Sequence, residues 1–450
     1  MYLSKNKKYQ YIFFLILSIY TVFNGGNSNI FIQINFILIS LLFLYCIKDK
    51  NYFSHLKILN IKNKISIFFY LLFLIYLIFQ IIPLPIEYLK LFSSFKYDFI
   101  SKYNADIVYS SISLSPTNSF FQIINYISLL ILISILKMIF YTNKHKYRLL
   151  FFIVLMGAIA SCVAIYFYLI GNPNFLIIKN LAKTEATGFF INRTVFSCYL
   201  ILCFLSGIEA LKMIDQSKIV TDNFYHKIYI RIFLLFITIG IITTYSKLGN
   251  FLFISLITFY ILQTFLENKK KDKLILITLV FILLFDVLIL GFYFGSERLI
   301  TRFSFLQDQI FQYLPSSKEN VFSRADIVKF AFHETKNFIL FGYGTGGFEN
   351  LYKINFEDLS NSYASHAHAD LIEFIGEFGL IGFVLFLLSI IFLPLKKKFI
   401  SFKNFCLFYF LIFVLIFDFS LHIPIIQLLF LLLLCVTDKE KNYSKNVINN

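Results

Sequence analysis

The chain has no tryptophan, and only 15 % of its 450 residues are charged, against 58 % that are hydrophobic. That scarcity of charge excludes an ordinary soluble domain, which cannot bury so much apolar surface. Repeated apolar runs of about 20 residues are what a bilayer core demands of each spanning helix. Tryptophan normally shares the interfacial belt with tyrosine, so the 29 tyrosines must fill that role alone. The six cysteines (Cys46, Cys162, Cys198, Cys203, Cys406 and Cys435) lie in or beside apolar runs, without the spacing of a disulfide framework or a zinc site. They read as small core residues. No small-x-small cleavage site follows the first apolar run, so Tyr11–Phe23 behind Lys5, Lys7 and Lys8 reads as a retained span rather than a signal peptide.

What is present is a net charge of +16, and its distribution decides its meaning. The lysines cluster in short loops between apolar runs: Lys48/Lys50, Lys144/Lys146 with Arg148, Lys269–Lys271 with Lys273, and Lys396–Lys398. That is the pattern that orients membrane proteins against the cytoplasmic face, and it argues against a nucleic-acid partner. The expected fold is an all-α polytopic membrane protein of about twelve spans. They run Tyr11–Phe23, Ile30–Ile47, Ile65–Ile82, Ser119–Tyr141, Leu149–Ile170, Thr194–Leu211, Ile230–Tyr245, Asn250–Leu266, Leu274–Phe292, Leu371–Leu395, Phe405–Ser420 and Pro424–Val436. Threading them from a cytoplasmic N-terminus leaves both termini inside, with two sizeable outside segments.

The expected organisation is then nine helices over residues 1–294 with an outside segment at 83–118, and a large outside loop at 295–370. Three further helices follow over 371–437, and a polar cytoplasmic tail over 438–450. The apolar residues Ile327, Val328, Phe330 and Ala331 suggest that the large loop folds into helices on the membrane surface.

The chemistry-bearing residues concentrate on the outside. Ser365–Gly382, SHAHADLIEFIGEFGLIG, places His366 and His368 just before a helix starting at Asp370. Glu373 and Glu377 follow one turn apart on one face, and Gly376, Gly379 and Gly382 form a close-packing stripe on another. Arg193 opens the sixth span at the outer surface. It either anchors that helix or, placed against the orientation rule, binds something. Arg324 precedes an amphipathic turn and reads equally as a solvated helix end.

Gly342–Phe348, GYGTGGF, lacks the Lys-Ser/Thr of a phosphate-binding loop and reads as a tight turn. His366, His368 and Asp370 raise a metal site, but no second cluster supports one. Asp286 and Asp418 within apolar spans raise a proton path, although Asp418 can pair with His422 one turn on.

These motifs together resemble the O-antigen ligase and O-antigen polymerase superfamily of bacterial inner-membrane glycosyltransferases, over most of the chain. The family's H-[NSQ]-x9-G-x-x-G signature is similar to His368-Ala369, nine residues, then Gly379-Leu380-Ile381-Gly382. His366 to Glu373 resembles the common HAHNDYLE form, and Gly188 to Arg193 resembles G-x-F-x-N-R. Ser246-Lys247 falls where many members have Ser-Arg, and Arg324 matches an arginine early in the large loop. Ala369, Lys247 and Phe383 depart from the family pattern, the first where a polar residue is usual.

The resemblance implies a GT-C-like fold and transfer of a glycan from undecaprenyl diphosphate to an acceptor hydroxyl at the periplasmic face, with no cofactor and no metal. It implies His368 as the base and Arg193 and Arg324 as counter-charges to the leaving diphosphate. His366, Asp370, Glu373, Glu377 and Lys247 would support them, with Glu373 or Glu377 orienting the imidazole. The acceptor is lipid A–core for a ligase, a further glycan repeat for a polymerase, or a protein for an oligosaccharyltransferase. The rival from another class is a non-enzymatic polysaccharide transporter built on Asp286 and Asp418. It predicts broken helices and midplane polar residues.

Overall fold

The computed structural model describes residues 2–48, 64–103, 106–174, 185–216, 223–267, 324–355, 364–392 and 401–436, with isolated positions between 277 and 284. Among them are fifteen α-helices. The protein is an all-α polytopic membrane protein: eight of the described helices are long and apolar enough to cross a bilayer. The long helices are α1 (Tyr2–Val22), α2 (Asn29–Ile47), α3 (Lys64–Ile81), α6 (Pro116–Ile139), α7 (Asn143–Leu169), α8 (Arg193–Gln216), α9 (Asn223–Thr243), α10 (Lys247–Glu267) and α13 (Asp370–Ile391). Two shorter apolar helices close the bundle, α14 (Phe402–Phe417) and α15 (Pro424–Val436). Every span expected from the sequence falls on one of these helices, except Leu274–Phe292, which lies outside the described residues together with Asp286.

The helices form because their apolar runs leave no water to satisfy the backbone, so each must close its own hydrogen bonds. Leu71, Ile75 and Ile78 of α3 and Leu41 and Leu44 of α2 point outward, uncovered by protein, as lipid-facing side chains do. The bundle is organised around α8, whose apolar window is 94 % buried, against 28 % for α2 and α3. Helices α7, α9 and α15 pack on α8, while α13 packs on α3 and α6 joins α2, α3 and α15.

At one end of the bundle the two segments expected outside meet. The first holds α4 (Ile86–Phe92), α5 (Ser94–Tyr103) and a two-residue antiparallel pairing of β1 (Leu84–Pro85) with β2 (Tyr109–Ser110). The second holds α11 (Arg324–Thr335) and α12 (Phe348–Asn355). Ile327, Ala331, Phe338, Tyr343, Phe348 and Leu351 form a small apolar core of their own, covered by Phe95 and Leu114 of the first segment. Backbone bonds tie the two together, with the Leu114 amide donating to the Tyr343 carbonyl at 2.9 Å.

The glycine-rich part of α13 is not the continuous packed stripe expected from the sequence. Gly379 takes φ 63° and ψ 173°, which breaks the helix and frees its backbone groups. The preceding GYGTGGF segment docks into the break. The Leu380 amide donates to Ile339 at 2.7 Å, the Tyr343 amide to Gly376 at 2.9 Å, and the Gly344 amide to Glu377 at 3.1 Å. A side chain at Gly379 would meet the Leu340 carbonyl oxygen at 2.4 Å, so the position requires glycine for both conformation and space. Gly376 and Gly382 do serve close approach, against Tyr343 and Tyr76. A broken helix is the feature the transporter reading predicted, but here protein fills the break.

Candidate active site

Helix α13 starts in a chain reversal that sets the two histidines apart. His368 sits at φ 57°, a left-handed conformation uncommon outside glycine. Ala369 then takes the extended N-cap conformation, but has no side chain to cap the helix. A polar residue there, as the family pattern has it, would add a side-chain acceptor for the first turn, whose Asp370 and Ile372 amides already bond the Asp418 and Ala369 carbonyls.

The reversal turns the His366 ring, but not that of His368, to Glu373, and both histidines are partly buried. His366 Nδ1 lies 2.9 Å from Glu373 Oε1, and Glu373 Oε2 accepts the Ala367 amide at 2.7 Å. The His366 ring stacks on Phe419 at 4.6 Å, and His368 meets the same ring edge-on at 5.1 Å. Neither Glu373 nor Glu377 bonds His368; its Nδ1 is buried without a hydrogen-bond partner among the described residues. Burial, the Arg324 guanidinium and His366 together pull the His368 pKa from 6.5 down to about 4. His368 is therefore a neutral imidazole at neutral pH.

Behind His366 lies a cluster that sequence reading did not assemble. Asp370, Glu373, Glu377 and Asp418 are all buried. Four buried carboxylates are unfavourable unless paired and hydrogen-bonded. His422, in the Ser420–His422 turn between α14 and α15, supplies the pairing. Its Nδ1 bonds Asp370, its Nε2 lies 3.3 Å from Glu377 Oε2 and 3.6 Å from Glu373 Oε1, and its ring stacks on Phe374 at 4.3 Å.

Burial pulls the His422 pKa down, but Glu373, Asp370 and Glu377 outweigh that and hold it well above the ordinary histidine value. The backbone completes the lock: the Leu421 amide donates to Asp370 at 2.7 Å and the Asp370 amide to the Asp418 carbonyl at 2.9 Å. Asp418 itself bonds Ser420 rather than His422, so the local Asp418–His422 pair expected from the sequence is not the one that forms. Glu377 also accepts the Gly346 amide at 2.6 Å, which fastens the GYGTGGF segment to the cluster.

The cations lie around this cluster, Arg193 and Lys247 each at the start of a helix. Asn192 caps α8 by accepting the Thr194 amide at 2.7 Å, which makes Arg193 the first helical residue; it is ion-paired to Glu185. Ser246 likewise caps α10 through the Gly249 amide at 3.2 Å and donates to Thr194 Oγ1 at 3.2 Å. That bond joins the two helix starts, and Lys247 is the first residue of α10. Arg324 is the first described residue of α11, near enough to His368 and Asp418 to act on both electrostatically. The turn carrying His422 packs on α8, so these elements share one end of the bundle.

The metal set read from the sequence, His366, His368 and Asp370, is not the one the fold brings together. His366, Glu373 and His422 each offer a ligand atom, all within 4.8 Å of one another. In the structure these atoms are already engaged in hydrogen bonds with one another or with Glu377. An external groove of about 460 Å³ lies between α5 and α12, lined by Phe99, Tyr103, Leu114, Asn350, Lys353 and Ile354. None of the residues singled out above lines it.

Fold and site define a polytopic helical membrane protein with a histidine–carboxylate cluster at one end and cationic helix starts around it. Residues 232–387 match the family model described as O-Antigen ligase, a stretch that runs from α9 into α13 and includes Lys247, Arg324, both histidines and both motif glycines. The match supports the O-antigen ligase superfamily for this segment of the chain. Arg193 and His422 lie outside the matched stretch. No curated protein matches the chain.

Proposed function

We propose that the protein is an inner-membrane glycosyltransferase that moves a glycan from undecaprenyl diphosphate to an acceptor hydroxyl at the periplasmic face, most simply as a ligase acting on lipid A–core. The observation that carries this reading is the placement of Arg193 and Lys247, each the first residue of a capped helix at the histidine end, with Arg324 within electrostatic reach of His368. A helix start is the wrong place for a cation, because the macrodipole is positive there. Two cations at such positions, one of them also paired with Glu185, suit an anion of high charge, where backbone amides and side chains act together. A lipid diphosphate is such an anion.

In the proposed reaction the acceptor hydroxyl oxygen attacks the anomeric carbon. The bond from that carbon to the diphosphate oxygen breaks, and His368 takes the hydroxyl proton. Neutral His368 suits a proton acceptor. Arg193 and Arg324 take up the charge that develops on the departing undecaprenyl diphosphate. His366, held by Glu373, supports the wall of the site.

Deletion of the gene, followed by electrophoresis of lipid-linked and surface glycans, tests the reading. Accumulation of unligated long chains is expected. Caps of a single repeat would assign a polymerase instead, and unchanged glycans would reject the family chemistry altogether.

A further inference from the structure

A third histidine has a setting that the proposed chemistry does not yet use. His422 comes from the turn between α14 and α15, more than forty residues beyond the histidine motif and outside the stretch matching the family model. It is 5 % exposed, and both ring nitrogens face carboxylates: Nδ1 faces Asp370, and Nε2 faces Glu377 and Glu373. A neutral imidazole carries one N–H and can donate only once. Two ionised carboxylates on opposite nitrogens are both satisfied only by the doubly protonated ring. The Phe374 face stacked against it at 4.3 Å favours a cation further.

Glu373 stands between this ring and His366, with Oε1 2.9 Å from His366 Nδ1 and 3.6 Å from His422 Nε2. Its second oxygen is held by the Ala367 amide. We propose that His422 is a positioning residue, an imidazolium wedged among Asp370, Glu373 and Glu377 that keeps Glu373 ionised and aimed at His366. The inference rests on the glycan-transfer reading, because the positioning matters only if His366 belongs to a working site. Asp370 and Glu377 complete the arrangement by fixing the His422 ring from either side, and the Leu421 amide keeps Asp370 in place.

Loss of His422 then acts through His366, and the two losses must not multiply. The test is a double-mutant cycle on purified full-length protein, measuring transfer from an undecaprenyl-diphosphate-linked glycan. His422→Gln and His366→Ala are each expected to lower kcat about 10-fold with donor KM within about twofold, and the double variant to fall no further than either single one. A double variant about 100-fold down, the product of the two, would overturn the coupling, as would a His422→Gln enzyme with wild-type kcat.

A second readout does not depend on transfer. Nitrogen NMR of histidine-labelled wild-type protein at pH 8 is expected to show one ring with both nitrogens protonated, and His422→Gln to lose it. Absence of that signal in the wild type would overturn the imidazolium. A stoichiometric transition metal carried by the wild type and lost with His422→Gln would assign His366, Glu373 and His422 to a metal instead, and would likewise overturn it. Wild-type protein that keeps the imidazolium signal but transfers no glycan would overturn the glycan-transfer reading, and the positioning role with it.

Discussion

The two charged regions at the histidine end of the bundle are built on opposite principles. The carboxylates Asp370, Glu373, Glu377 and Asp418 are buried and held by named hydrogen bonds from His366, His422, Ser420 and the amides of Ala367, Gly346 and Leu421. The cations Arg193 and Lys247 instead sit at helix starts, in positions their own helices disfavour, and Arg324 lies exposed within electrostatic reach of His368 and Asp418. The first region carries most of its partners within the fold and can serve as a rigid support. The second carries positive charge at helix starts, where an incoming anion is favoured, although Arg193 is already paired with Glu185. His368 stands where they meet: its electrostatic neighbours include Arg324 from one region and Glu373 from the other.

The contrast is broken most severely by removing the cations. Arg193→Ala and Arg324→Ala are each expected to lower transfer by at least about 100-fold, the scale of a lost charge-stabilising donor. Arg193→Lys should recover part of this, because a lysine keeps the charge but not the bidentate geometry. Both alanine variants should insert and express normally, as neither touches the carboxylate cluster. Wild-type transfer by both would place the diphosphate elsewhere.

The pH dependence of transfer sharpens the role of the meeting point. The His368 pKa is lowered, so its neutral form persists as pH falls and is lost only as pH passes through about 4. A histidine of ordinary pKa would be only about 10 % neutral at pH 5.5. Transfer at pH 5.5 is therefore expected within about twofold of transfer at pH 7.5. A loss of about 10-fold would mean that a histidine of ordinary pKa, not His368 in this setting, takes the proton.

The smallest effect belongs to the support alone. Ala369 occupies the N-cap of α13 in the extended conformation that a capping serine adopts. Ala369→Ser is expected to stabilise the protein by about 1 kcal/mol, read as a small rise in melting temperature in detergent, with transfer unchanged. Because Ala369 is 2 % exposed, a fall in melting temperature would show that the hydroxyl is not accommodated.

Much of this was legible in the sequence because it is local. Apolar runs marked the helices, the lysine clusters separated them, and the approach of His368 to a helix beginning at Asp370 was visible in the spacing. Asn192 before Arg193 and Ser246 before Lys247 are capping residues whose effect reaches only one turn.

The rest depended on contacts distant in sequence. His422 looked like a neighbour of Asp418, and only the fold of the α14–α15 turn brings it to Asp370. Glu373 or Glu377 was expected to orient the base, but with His368 in the left-handed conformation Glu373 meets His366 and Glu377 meets His422 instead. Gly379 read as a packing glycine because a helix break needs a docking partner, here Leu340 and Gly342, that the spacing of the motif does not reveal.

The central claim is that this end of the bundle transfers a glycan by proton removal at His368. The most direct measurement is in vitro transfer from an undecaprenyl-diphosphate-linked glycan to lipid A–core by wild-type and His368→Ala protein, each with and without EDTA. The account predicts a loss of at least about 100-fold for His368→Ala, the scale of a removed general base, and wild-type transfer unaffected by chelator. A His368→Ala enzyme with undiminished transfer, or wild-type activity that chelator abolishes, would contradict it.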